Sequence, residues 1–274
     1  MKHLPPDFWR AFNGEFAQLF KVGELLDGNA GTIANTWREG RFDSMFDFPL
    51  AWAALDVFCR GESPAKLGAA LTNDRRYPDA SRLMTLLDNH DLPRVMHVCG
   101  GDQRKVENAL TFLFAVRGIP SIIWGTEEGF DGAKEPENRA SMRFAPHPLK
   151  EFIERAMKQR ATMEPVFAVA EADEKHVVIV SSTHALRVEN GVATLRPSPQ
   201  PSPHGRGSSF RTHTFEGEGF VTGSGPELGD WDKAKALKLP ATVELPVGGV
   251  FEFKYLRPSG EYEPGQNRVL FIAP

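Results

Sequence analysis

Three stretches of this 274-residue chain set ionisable side chains at the ends of apolar runs. Residues 86–94, LLDNHDLPR, bring Asn89, His90 and Asp91 together where a buried strand emerges. Residues 118–130, GIPSIIWGTEEGF, end a second apolar run at Gly125, Thr126 and Glu127. In the third, FKVGELL, Glu24 stands among apolar neighbours. A carboxyl group so surrounded tends to hold its proton, the property a general acid requires. An acid of that kind, with a second carboxylate across the anomeric carbon, is the equipment of glycoside hydrolysis. Each piece alone has a plainer reading: Glu24 as a strand-end carboxylate held by a lysine or arginine, Asn89-His90-Asp91 as a helix cap.

The elements that must position these groups alternate along the first two-thirds of the chain. Pro5-Pro6-Asp7 opens a helix, with Phe8, Trp9, Phe12 and Phe16 as its apolar face. Residues 19–26 read as a short buried strand and 44–48 as a weaker one; 84–87 and 119–124 read as strands, and 50–58, 106–116 and 149–161 as helices. Such βα alternation with short connections predicts parallel strands, whose ends form the active face of a barrel. After Met163 the pattern turns to short β-like runs, at 176–181 and 185–194. Residues 197–209, PSPQPSPHGRGSS, read as a Pro/Ser-rich linker. Beyond it, 210–274 alternates like a small all-β module.

With 41% hydrophobic and 25% charged residues, the chain has a globular composition, and a net charge of −4 argues against nucleic acid as a partner. No apolar run reaches the roughly 20 residues that span a bilayer, so no membrane role is expected. The start, MKHLPPDFWRAF, lacks the apolar core of a secretory signal, which leaves localisation undetermined. Cys59 and Cys99 show no metal or disulfide spacing and are expected to be two buried thiols.

Taken together, Gly23-Glu24, Asn89-His90-Asp91 and Trp124-Gly125-Thr126-Glu127 closely resemble the α-amylase family, glycoside hydrolase family 13. The resemblance implies the last four or so βα units of a (β/α)8 barrel. It makes Glu24 the acid/base and Asp91 the residue that holds and distorts the sugar, with Asn89 and His90 binding substrate. Trp124 stands where the family often has tyrosine. Lys2 and His3 match the end of the fourth-strand motif, Gly-Phe-Arg-x-Asp-x-x-Lys-His, where the acceptor sugar binds. The aspartate of that motif is the family's nucleophile, and it would lie upstream of Met1. A retaining displacement needs it about 5 Å from the acid/base. The polypeptide is therefore expected to be a fragment of a larger product, inactive alone, or the complement of a separate N-terminal half-barrel. Calcium occurs in the family, and the backbone oxygen at His3 is one potential ligand. The other ligands would lie in the absent half, so no cofactor is assigned and no metal residue is named.

Residues 226–231 (PELGDW), 251–254 (FEFK) and 265–268 (GQNR) resemble the starch-binding carbohydrate-binding module family 20. That likeness assigns sugar stacking to Trp231 and Tyr262, and hydroxyl contacts to Lys254 and Asn267. Pyranose C–H faces suit aromatic platforms. Tyrosine at 262, where the family usually has tryptophan, suggests weaker binding, and a second sugar site has no clear match. Trp231 as a core residue is the plainer reading.

The expected organisation is a partial catalytic barrel (1–162), part of a β-domain (163–196), a linker (197–209) and a starch-binding sandwich (210–274). Starch, glycogen or maltooligosaccharides are the implied partners. The leading function is an α-1,4-glucan hydrolase. The aliphatic pair Leu25-Leu26 after the acid/base favours hydrolysis over transfer to a sugar acceptor. A cyclodextrin glucanotransferase-like enzyme and a non-catalytic starch binder with a degenerate barrel are the alternatives.

Overall fold

The computed structural model describes residues 4–198, 209–265 and 267–273. Four short parallel strands form the first layer. They are β1 (Val22–Gly23), β2 (Ser44–Met45), β3 (Met84–Thr85) and β4 (Ile119–Pro120). Val22 pairs with Ser44, Phe46 bridges to Met84, and Met84 pairs with Ile119, so the strands lie side by side in chain order. Helices follow each strand: α2 (Ala30–Gly40), α3 (Phe48–Phe58) with α4 (Ala65–Thr72), α5 (Val95–Val98) with α6 (Gln103–Ala115), and α7 (Pro148–Arg160). This is the last half of a (β/α)8 barrel, as expected. β4 approaches β3 so closely that a Cβ on Gly118, at φ +98°, would lie 2.7 Å from the Leu83 carbonyl.

Side chains start the helices where they are needed. Asn29 accepts from the Gly31 and Thr32 amides, Asp47 from Leu50, and Asp102 from Arg104 and Lys105. Each satisfies donors that a helix leaves unpaired in its first turn. Three of the helices, α2, α4 and the short α5, were not foreseen, and the strands are shorter than the apolar runs that contain them. The helix α1 (Pro6–Glu15) begins at its proline as predicted. Its Phe8 and Phe12 are stacked at 6.1 Å yet stand about 45% exposed, while Asn13 is buried and donates to Gly40 O at 2.7 Å.

The cysteines correct the expectation of free thiols. Cys59, closing α3, and Cys99, closing α5, form a disulfide across 40 residues of sequence. The packing of α3 against the α5–α6 corner brings them together, and nothing in their spacing announces it.

Four antiparallel strands follow in chain order: β5 (Ala168–Ala172), β6 (His176–Val180), β7 (His184–Glu189) and β8 (Val192–Pro197). The last module pairs β9 (Phe210–Phe215) with β12 (Ala241–Pro246). Against this pair lies a sheet in the order β11 (Leu237–Lys238), β10 (Phe220–Gly223), β13 (Val250–Leu256), β14 (Arg268–Phe271). Phe215, Val221, Leu228, Leu245, Phe251 and Phe253 fill the space between them. Val250 points the other way and joins the barrel's own hydrophobic cluster with Leu67, Leu71 and Val169.

Candidate active site

Glu24 is the first residue beyond β1 and is half-buried. Leu25, 5% exposed, anchors it by packing into a cluster with Ile33, Trp37, Met45 and Leu83. Across the sheet, β3 continues into buried Leu86, Leu87 and Asp88 before Asn89. The Asn89 Oδ1 atom accepts from the Asp91 and Leu92 amides at 2.9 and 3.0 Å. That fixes the amide's orientation and turns Nδ2 to Glu24 Oε1, to which it donates at 3.1 Å. Glu24 and Asn89, 65 residues apart, are thus brought together. The Asn-His-Asp turn caps its own backbone and still reaches the carboxylate.

His90 and Asp91 stand at the rim, their side chains 49% and 44% exposed. Arg139 ties both down, through Nε to the His90 carbonyl at 2.9 Å and through Nη2 to Asp91 Oδ1 at 2.7 Å. His90 Nε2 lies 3.5 Å from the same carboxylate oxygen. Asn138 Nδ2 adds bonds to the His90 and Leu92 carbonyls at 2.9 and 3.2 Å. The exposed Trp124 ring is held by its Nε1 donating to Ala140 O at 3.0 Å.

Beneath this rim lies Arg94, completely buried. Its Nε donates to Asp88 Oδ2 at 3.1 Å, and Nη1 to Asn138 O at 3.1 Å. Nη2 donates to Trp124 O and Thr126 Oγ1 at 2.6 and 3.2 Å. One guanidinium thus joins the end of β3, the loop after β4 and the turn that carries Arg139. Burial pushes the Asp88 carboxyl above its ordinary value, against the pull of Arg94 and the Val95 amide. The sequence reading missed Arg94, Arg139 and Asn138 as site residues, although Arg94 ends the string LLDNHDLPR, and Asn138 and Arg139 lie in residues 135–144, EPENRASMRF, just beyond GIPSIIWGTEEGF.

Lys2 and His3 lie outside the described residues. Among the described residues no group of three His, Cys, Asp or Glu side chains is placed to hold a metal ion.

In the last module Trp231 is half-buried and lies outside the buried cluster. Tyr262 is 37% exposed, with Lys233 Nζ 4.5 Å from its ring centroid. Lys233 also donates to Gly260 O at 3.1 Å, linking the turn after Trp231 to the loop that carries Tyr262. Lys254 donates to Gly265 O at 2.6 Å, and the Asn267 amide is bonded to the Glu252 carboxyl. Burial pushes that carboxyl up, with Lys66 and Asn267 pulling it down.

Residues 5–177 match the family model for the alpha amylase catalytic domain, and 209–273 the model for a starch binding domain. The chain is 33% identical over 161 residues to a beta/alpha-amylase of Paenibacillus polymyxa, a match covering 56% of this chain and 13% of that protein. It is 33% identical over 144 residues to alpha-amylase 2 of Schizosaccharomyces pombe, covering 52% and 24%. The chain therefore spans a quarter or less of these relatives. An α-amylase from Malbranchea cinnamomea superposes with a TM-score of 0.61 at 20% identity, over 99% of this chain and 54% of that one, which speaks to fold alone.

Proposed function

The chain belongs to the alpha amylase catalytic-domain family and carries a starch binding domain, and from that premise we propose that it supplies the acid/base side of an α-1,4-glucan hydrolase site. Glu24 protonates the leaving glycosidic oxygen and then, as its carboxylate, draws the proton from the incoming water. Asp91, held by Arg139, grips the sugar ring hydroxyls and distorts the ring, and His90 bonds the hydroxyls beside it. Trp124 forms an apolar wall, and Lys2 and His3 serve the acceptor side. The observation that carries this reading is the bond from Asn89 to Glu24. It orients the acid/base from the same turn that presents His90 and Asp91.

The double displacement needs a second carboxylate about 5 Å from Glu24. The family resemblance gives that role to the aspartate of a Gly-Phe-Arg-x-Asp segment, and these 274 residues include no such segment. Leu26, exposed beside Glu24, offers an acceptor sugar no stacking face and favours hydrolysis.

The substrate class is a starch-type α-glucan, captured by Trp231 and Tyr262 as platforms with Lys254 and Asn267 on the hydroxyls. The barrel part is assigned to 1–162, the β-domain part to 163–196, the linker to 197–209 and the starch-binding module to 210–274. The test is the release of reducing ends from soluble starch, with a Glu24→Gln control. The chain by itself is expected to bind insoluble starch and release no reducing ends above the control. Joined to a segment supplying the nucleophile, it is expected to gain turnover that Glu24→Gln abolishes. Turnover that survives Glu24→Gln would overturn the acid/base assignment.

A further inference from the structure

Two adjacent arginines of the barrel grip one turn of the starch-binding module at both ends. Arg75 Nη1 and Nη2 donate to Glu227 Oε1 and Oε2 at 2.5 and 2.7 Å. Arg76 Nη1 and Nη2 donate to Asp230 Oδ1 and Oδ2 at 2.8 and 3.1 Å. Both are paired forks, which fix direction as well as distance. The Arg76 and Asp230 side chains are only 20% and 22% exposed, so solvent screens this pair less than a surface contact.

The turn they hold, Pro226–Trp231, is wound against the usual hand. Gly229, Asp230 and Trp231 have φ of 82°, 53° and 64° in succession. Glycine takes this region freely and aspartate tolerates it, but a tryptophan there is an outlier. Such a conformation persists only where its surroundings over-determine it. The turn's own bonds run from the Leu228 and Asp230 amides to Gly225 O and from Asp232 N to Gly229 O. The side chain that precedes Trp231 is held from the barrel. Arg76 is itself fixed: Asn73 Oδ1 accepts from its Nη1 at 3.5 Å, its carbonyl accepts from Arg38, and its guanidinium fills the space left by the missing Cβ of Gly31.

We infer that Arg76, with Arg75 beside it, is a positioning residue of the starch-binding site: the barrel supplies the anchor that keeps Trp231 in its sugar-stacking conformation. The inference rests on Trp231 being the platform proposed above. Sugar affinity of the module is therefore a property of the docked chain, and it responds to a charge that never touches sugar.

The test is calorimetric titration of the full chain with β-cyclodextrin, a neutral probe, at low and high salt. Arg76→Ala is expected to weaken binding about tenfold, the equivalent of one partly buried ion pair, and to remove its salt dependence. Arg76→Lys, which keeps the charge and drops the fork, is expected to fall between. Parental affinity in Arg76→Ala, while Trp231→Ala binds nothing, overturns the inference and leaves the platform standing. Parental affinity in Trp231→Ala overturns the platform and the inference together.

Discussion

Asn89 spends every polar atom of its side chain on the site, two backbone amides at Oδ1 and Glu24 at Nδ2. Asn89→Ala should therefore cost about 1–2 kcal/mol in urea unfolding, by exposing the turn's amides and releasing the carboxylate. A second residue-scale prediction concerns pH. Burial raises the Glu252 carboxyl above its ordinary value of 4.5, so the folded chain keeps this proton to higher pH than the unfolded chain. The unfolded state then binds fewer protons, and stability falls as pH rises from about 4.5 through the folded value. Glu252→Gln has no proton to lose, and its stability relative to the parent should rise across that window in pH-dependent denaturation. The placing of Asn89, His90 and Asp91 just beyond a strand was legible because a short apolar run ends at them, and Glu24 stood out as a lone carboxyl inside another such run. Arg139 and Asn138 were not legible, because contacts across 46–49 residues leave no trace in local pattern.

Among the elements, α6 and α7 could be read from their apolar periodicity, whereas α2, AGTIANTWREG, hides its buried stripe between two glycines and polar residues. The strands were read too long because the apolar runs continue past their two paired residues into the buried turns that carry the site. Their closeness has a price at Gly118, where φ is +98° and a Cβ would meet the Leu83 carbonyl at 2.7 Å. Gly118→Ala should destabilise the chain by about 2 kcal/mol or more in chemical denaturation. Arg94 joins three of these elements, and Arg94→Met would leave the Asp88 carboxylate buried without its cation. A loss of about 3–5 kcal/mol is expected, and adding Asp88→Asn should recover part of it, since the amide oxygen still accepts from Val95.

At the scale of the whole molecule, the disulfide closes a loop of 40 residues between α3 and α5. Chain-entropy reasoning puts its contribution near ~4 kcal/mol, so the Cys59→Ala, Cys99→Ala double variant should unfold at markedly lower denaturant. The boundary between barrel and starch-binding module is also tight. Val250 is fully buried in the barrel's cluster, its amide donates to Thr72 Oγ1 at 2.8 Å, and a Cβ on Gly68 would lie 2.8 Å from its Cγ2 atom. A Pro/Ser-rich connector in the sequence suggests two bodies on a leash, and Val250 makes them neighbours in one packed interior. A leash lets a captured polymer wander over a range of separations, and the chance of meeting the catalytic carboxylate is then an average. A seat at Val250 replaces that average with a single separation. Under the proposed assignments, a glucan resting on Trp231 meets Glu24 only after a definite count of glucose units, so the chain would act as a molecular ruler.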